Sequence, residues 1–134
     1  PVYFSYPTGE FRSFIERLLF ANHTYMVDKE NGGLKRRLEK TIPTGVIFTM
    51  NCPEDLAKNI NYNIILEENV KSLNHIMGYA TSLYSYDTTQ FADFSKYNCD
   101  LFDENHKKEV KETQFPKDLE NAFNLGKKLV KMKF

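Results

Sequence analysis

The stretch Pro1–Phe20, PVYFSYPTGEFRSFIERLLF, decides how the rest of the chain is read. It opens in the apolar run Val2-Tyr3-Phe4, passes through a turn and enters a helix. Thr8 is placed to cap that helix, because its hydroxyl can accept a backbone N–H of the first turn. Gly9 leaves room there, and Glu10 suits the positive helix end. Phe11, Phe14, Ile15, Leu18 and Leu19 follow at i, i+3, i+4, i+7 and i+8, the apolar stripe of an amphipathic helix. Arg12, Glu16 and Arg17 fall on the other side. From these residues alone the segment is a strand–turn–helix unit of an α/β core.

Further along, Thr44–Asn51 (TGVIFTMN) is the clearest strand. Val46, Ile47 and Phe48 are consecutive apolar residues of high β propensity, as in a parallel strand covered on both faces. Asn51 or Cys52 is expected to cap the next helix, with Pro53 at its first position and Glu54 and Asp55 on its first turn. Asn59–Asn63 is poor helix sequence, so that helix is brief and a second one starts near Ile64. Leu66, Val70, Leu73 and Met77 share one face of it, and Gly78 closes it. Tyr79–Tyr86 reads as a further strand, followed by an Asp87-Thr88-Thr89 turn that turn chemistry explains. Asp103–Glu112 is expected to be a solvent-facing helix, and Pro116 opens the last one. There Leu119, Ala122, Phe123, Gly126, Leu129 and Val130 form a stripe, with Gly126 admitting a close approach to the sheet. Between the first helix and Thr44 the chain is polar and carries Asn31-Gly32-Gly33, a turn or link, with one helical turn expected over Leu34–Leu38.

Strands alternating with helices imply a parallel sheet with right-handed crossovers. Thr44–Met50 is expected to lie between the run ending at Phe4 and the run Ala80–Tyr86. The 134 residues suffice for one domain, with 41% hydrophobic and 27% charged residues, an ordinary globular balance. Eighteen basic and 18 acidic residues cancel, so charge gives no reason to expect nucleic acid. No apolar run approaches the ~20 residues that span a bilayer, and no signal-peptide pattern is present; the expectation is no membrane and a cytoplasmic setting. Cys52 and Cys99 are too few and too far apart for a disulfide framework or a Cys-x-x-Cys metal site. His23, His75 and His106 are isolated, without metal or triad spacing.

Three segments together carry a resemblance. Pro1-Val2-Tyr3-Phe4 followed by Thr8-Gly9-x-x-Arg12-x-Phe14-x-x-Arg17 resembles the segment after the third strand in flavodoxin-like FMN reductases. Thr49-Met50-Asn51-Cys52-Pro53-Glu54 is similar to the next flavin loop of the NAD(P)H-dependent FMN reductase and iron–sulfur flavoprotein group. Phe115-Pro116, then Ala122-Phe123-x-x-Gly126-Lys127, resembles its last helix. The Ser that precedes the Pro in the family's first motif has no counterpart here. The resemblance implies a three-layer α/β/α fold with a parallel sheet, of which residues 1–134 would be the C-terminal half, strands 3, 4 and 5 of an order 2-1-3-4-5.

It also implies a function. FMN would take hydride from NAD(P)H and pass electrons to a flavin, quinone or other small-molecule acceptor. Pro1, Val2, Tyr3, Phe4, Thr49, Met50, Asn51 and Cys52 would surround the flavin ring, Tyr3 and Phe4 as its aromatic face, backbone N–H groups as donors. No side chain is assigned as acid or base. A relative carrying an iron–sulfur cluster would hold its cysteine motif upstream of Pro1. A homo-oligomer is implied, with Tyr25 and Met26 in a subunit-contact or lid segment as the alternative to a solvated excursion. The competing reading is a non-catalytic assembly fragment that binds no flavin alone, because the family's phosphate loop lies upstream.

Overall fold

The computed structural model describes residues 1–134 and is a mixed α/β structure. Its chain runs β1 (Val2–Tyr3), β2 (Tyr6–Pro7), α1 (Gly9–Asn22), β3 (Ile42–Thr49), α2 (Glu54–Asn59), α3 (Tyr62–Met77), β4 (Gly78–Ser85), α4 (Glu104–Thr113) and α5 (Phe115–Lys131). A single 3-10 turn at Phe94–Lys96 punctuates the long β4–α4 connection.

β3 and β4 pair in parallel over their whole length, from Ile42 opposite Gly78 to Thr49 opposite Ser85. Helices cover both faces of this pair. On one face Val46 and Phe48 join Leu66, Val70, Leu73 and Met77 of α3 in a buried cluster. On the other lies α5, and Gly45 is what lets it approach: a Cβ there would stand 2.9 Å from Leu129 Cδ1. The alternation over Val46–Phe48 (Val46 and Phe48 buried, Ile47 half exposed) follows from these unequal layers, and the run is buried on one face rather than on both as expected.

The run ending at Phe4 is not a strand of this sheet. Val2–Tyr3 folds back on Tyr6–Pro7 as an antiparallel hairpin. Phe4 and Ser5 take φ of 49° and 72°, the pair of positive values that a two-residue type I′ turn requires. The hairpin closes locally because four residues can pair at once, whereas joining β3 requires a distant edge. β3 therefore has β4 on one side and no strand on the other.

Other expectations are adjusted in detail. Thr8 caps α1, accepting from Phe11 N at 3.4 Å, but of the stripe only Ile15 is buried and Phe14 is exposed. Pro53, rather than Asn51 or Cys52, is the N-cap of α2. Asn61 in the left-handed region separates α2 from α3, and Gly78 at φ 89° ends α3. Leu34–Leu38 forms no helical turn; Leu34 bridges Val27 instead. On α5 the sheet-facing residues are Leu125 and Leu129, while an added Cβ at Gly126 would meet open space. Leu119, Phe123 and Val130 are exposed on its flank. No helix is long and apolar enough to cross a membrane.

Candidate functional site

Parallel strands deliver their loops to one end of the sheet, and ligands of open α/β sheets bind at the carboxyl ends of the strands. Here that end consists of Met50–Cys52 after β3 and Tyr86–Gln90 after β4. The two loops are laced together. Met50 N donates to Ser85 O at 3.0 Å, Thr88 N to Met50 O at 2.9 Å and Asp87 N to Cys52 O at 3.0 Å. Asp87 holds φ 58°, a left-handed value that aspartate adopts more readily than most residues in a turn.

Its carboxylate is held from α4. Lys107, only 1% exposed, sends its ammonium to Asn51 O at 2.5 Å and to Asp87 Oδ1. His106 Nε2 lies 2.6 Å from Asp87 Oδ2. The Lys107 Nζ also stands 4.6 Å from the centroid of the Phe102 ring. A buried ammonium is tolerated only when paired and hydrogen-bonded, and here one carboxylate, one carbonyl and one ring face provide that. The carboxylate Oδ1 belongs to the ion pair; Ser85 Oγ meanwhile donates to Asp118 Oδ2 of α5 at 2.6 Å. Both α4 and α5 are thus tied to the strand ends through polar contacts.

The consequence for Met50–Cys52 is directional. Three successive carbonyls, of Met50, Asn51 and Cys52, accept from Thr88 N–H, the Lys107 ammonium and Asp87 N–H. No peptide bond is cis. In a trans peptide the N–H points opposite to the C=O. The N–H groups of Asn51 and Cys52 therefore point away from these donors, and they donate to no group of the chain. Asn51 Nδ2 donates to Gln90 Oε1 at 3.2 Å, while Asn51 Oδ1 is buried without a donor. Burial holds the Cys52 thiol above its ordinary 9.0; Lys107 opposes that rise and Asp87 adds to it. A cleft of about 360 Å³ opens beside this end, walled by Tyr86, Thr88, Gln90, Phe91, Val110 and Phe115.

The other expected half of the site is built differently. Val2 is buried and shares the core cluster with Met50. Pro1 is exposed, Tyr3 is 54% exposed and Phe4, at the hairpin tip, 95%. Thr49 closes β3 opposite Ser85. The structure thus joins Val2 and Met50 in one core and leaves Tyr3 and Phe4 as free aromatic rings.

Sequence reading missed Asp87, His106 and Lys107. Asp87 is more than a turn residue, and the helix of Lys107 is not wholly solvent-facing. The available signal was the single apolar residue Val110 on a charged helix, three positions after Lys107 and so on the same face. A larger groove, about 830 Å³, runs between α1 and the end of α3 and includes His23 and His75. Since α3 ends where β4 begins, it lies at the opposite end of the strands. No group of three or more His, Cys, Asp or Glu is placed to hold a metal. Comparison with family models, curated proteins and solved structures finds no match.

Proposed function

We propose that this chain supplies the flavin-ring loops of an FMN-dependent NAD(P)H oxidoreductase. The observation that carries the proposal is the donor edge at Asn51 and Cys52: two unengaged backbone N–H groups beside three carbonyls that each accept a hydrogen bond. The edge of a flavin ring is rich in acceptors, its two carbonyl oxygens and unprotonated nitrogens. Its one ring N–H has a counterpart in the orphaned Asn51 Oδ1. The residues present therefore fit the group.

In this reading Asn51 and Cys52 hold the ring edge through backbone donors, and Thr49 and Met50 fix the loop's departure from β3. Val2 anchors the hairpin in the core, so that Pro1, Tyr3 and Phe4 can cover the ring. FMN supplies the redox chemistry, accepting hydride from NAD(P)H and passing electrons to a small-molecule acceptor. The chain's part is to bind and orient, and no side chain acts as acid or base. A homo-oligomer working in the cytoplasm completes the proposal.

Absorbance of the purified full-length protein in the flavin bands, with and without added FMN, tests it. Bound FMN released on denaturation is the expected result; a protein that neither retains nor takes up FMN overturns it. Tyr3→Ala is expected to weaken retention by about 1 kcal/mol, the scale of an aromatic pair, or roughly fivefold.

A second reading, an assembly module without flavin, rests on a different feature. The free edge of β3 is uncharged along Ile42–Thr49, Ile47 is half exposed, and α5 leaves Leu119, Phe123 and Val130 uncovered. Bare apolar edges recruit further strands. Light scattering with and without FMN separates the readings: assembly indifferent to FMN favours the module.

A further inference from the structure

We propose that Lys107 is a positioning residue for the ligand loop: its buried ammonium sets which way the Asn51–Cys52 peptide faces. The inference rests on the flavin reading for the identity of the ligand, though its geometry stands without it. Of the three donors that hold the Met50–Cys52 carbonyls, two are backbone N–H groups of the neighbouring loop. The third is a side chain reaching in from α4 across 56 positions of sequence. Remove it, and the Asn51 carbonyl has no donor in the chain. The Asn51–Cys52 peptide is then free to rotate, which would turn a carbonyl towards the acceptor-rich ring edge in place of the Cys52 N–H.

Asp87 and His106 serve the same end at one remove. Asp87 Oδ1 pairs with Lys107 and its own N–H holds the Cys52 carbonyl, so one residue steadies the loop twice. His106 meets the second carboxylate oxygen and is half exposed, so it orients Asp87 from the rim. The Cys52 thiol lies near the Lys107–Asp87 pair but takes no part in these bonds. Van der Waals packing alone does not explain Lys107: an apolar side chain of similar length would fill its place at no desolvation cost, yet would leave the Asn51 carbonyl unpaired.

The test uses the full-length protein, K107M, the double variant K107M/D87N and H106Q. The double variant removes both buried charges and keeps the measurement possible if K107M does not fold. Two signals are read. The Asn51 carbonyl-carbon and Cys52 amide resonances report the peptide's orientation without any ligand. FMN titration, with the visible bands of the bound flavin, reports what that orientation does. With Lys107 replaced in a folded protein, both resonances are expected to move. FMN should bind about tenfold more weakly, the scale of one or two lost hydrogen bonds, with altered visible bands. H106Q should stay within about twofold of the parent. Resonances that stay in place, or unchanged FMN affinity and spectrum in a folded variant, overturn the proposal. If the parent protein itself takes up no FMN while the resonances still move, the flavin reading falls and the positioning role of Lys107 stands.

Discussion

The tip of the β1–β2 hairpin and the Met50–Cys52 loop are assigned the same task from the sequence, yet the chain builds them in opposite ways. The hairpin depends on its own turn and on two buried residues, Val2 and Pro7; its rings lie in the open. The loop follows a parallel strand buried on its α3 face, and each of its three carbonyls is held by a different donor, one of them a buried ammonium. A stretch that offers an aromatic face needs little more than tethering, since a ring stacks over a range of positions. A stretch that offers backbone donors must hold its peptides to a definite direction, and this loop has the supports to do so.

The largest expected effect breaks the better-supported side. K107M leaves Asp87 buried without its cation, which should cost about 3–5 kcal/mol in urea denaturation. K107M/D87N should recover part of that loss; equal losses in the two would show that the charge pair is unimportant. On the hairpin side, Thr8→Ala removes the cap of α1 and should cost about 1 kcal/mol, the usual worth of such a cap. It should leave the Asn51 and Cys52 resonances unmoved.

Smaller still, and of opposite sign, is the double change F4N/S5G. Phe4 and Ser5 occupy left-handed conformations that Asn and Gly adopt more readily. Thermal denaturation should show a gain of a few tenths to about 1 kcal/mol. A loss would mean that the exposed Phe4 ring contributes more to the fold than its surroundings indicate. FMN affinity should fall with this variant if Phe4 covers the ring, so that stability and binding change in opposite directions.

The smallest effect concerns pH. Burial raises the Cys52 pKa above 9.0, so the thiolate is scarcer in the folded chain than in the unfolded one at any given pH. The folded state then binds more protons than the unfolded state between the two pKa values. The contribution to stability is present below pH 9 and lost as pH rises through the folded value. Iodoacetamide should therefore modify Cys52 more slowly in the folded protein than in an unfolded peptide of the same sequence at pH 8, followed by mass spectrometry. Equal rates would contradict the burial.

Local rules made much of the architecture legible. The strand at Val46–Phe48, the cap at Thr8, the face Leu66–Val70–Leu73–Met77 and the stop at Gly78 each act within a few residues, and each is found, though Ile47 keeps the strand from being buried on both faces. What escaped depends on distance in sequence. Tyr3-Phe4-Ser5-Tyr6 lacks the Asn-Gly signature of a type I′ turn, so nothing nearby announced the hairpin. Leu119, Phe123 and Val130 match a helical stripe, but which side of α5 meets the sheet was decided by the space that Gly45 leaves, about 80 positions earlier. The site divided in the same way. The loop after β3 was visible from its strand and its Pro53; the lysine that orients it was not, because a charged residue on a charged helix reads as solvated.

The most direct test of the donor edge is a titration of the isotopically labelled full-length protein with FMN, following backbone amides. The account predicts that the Asn51 and Cys52 amide signals shift downfield as they gain acceptors, and that Tyr3 and Phe4 respond in the same titration. Saturation with FMN that leaves Asn51 and Cys52 unmoved would contradict it.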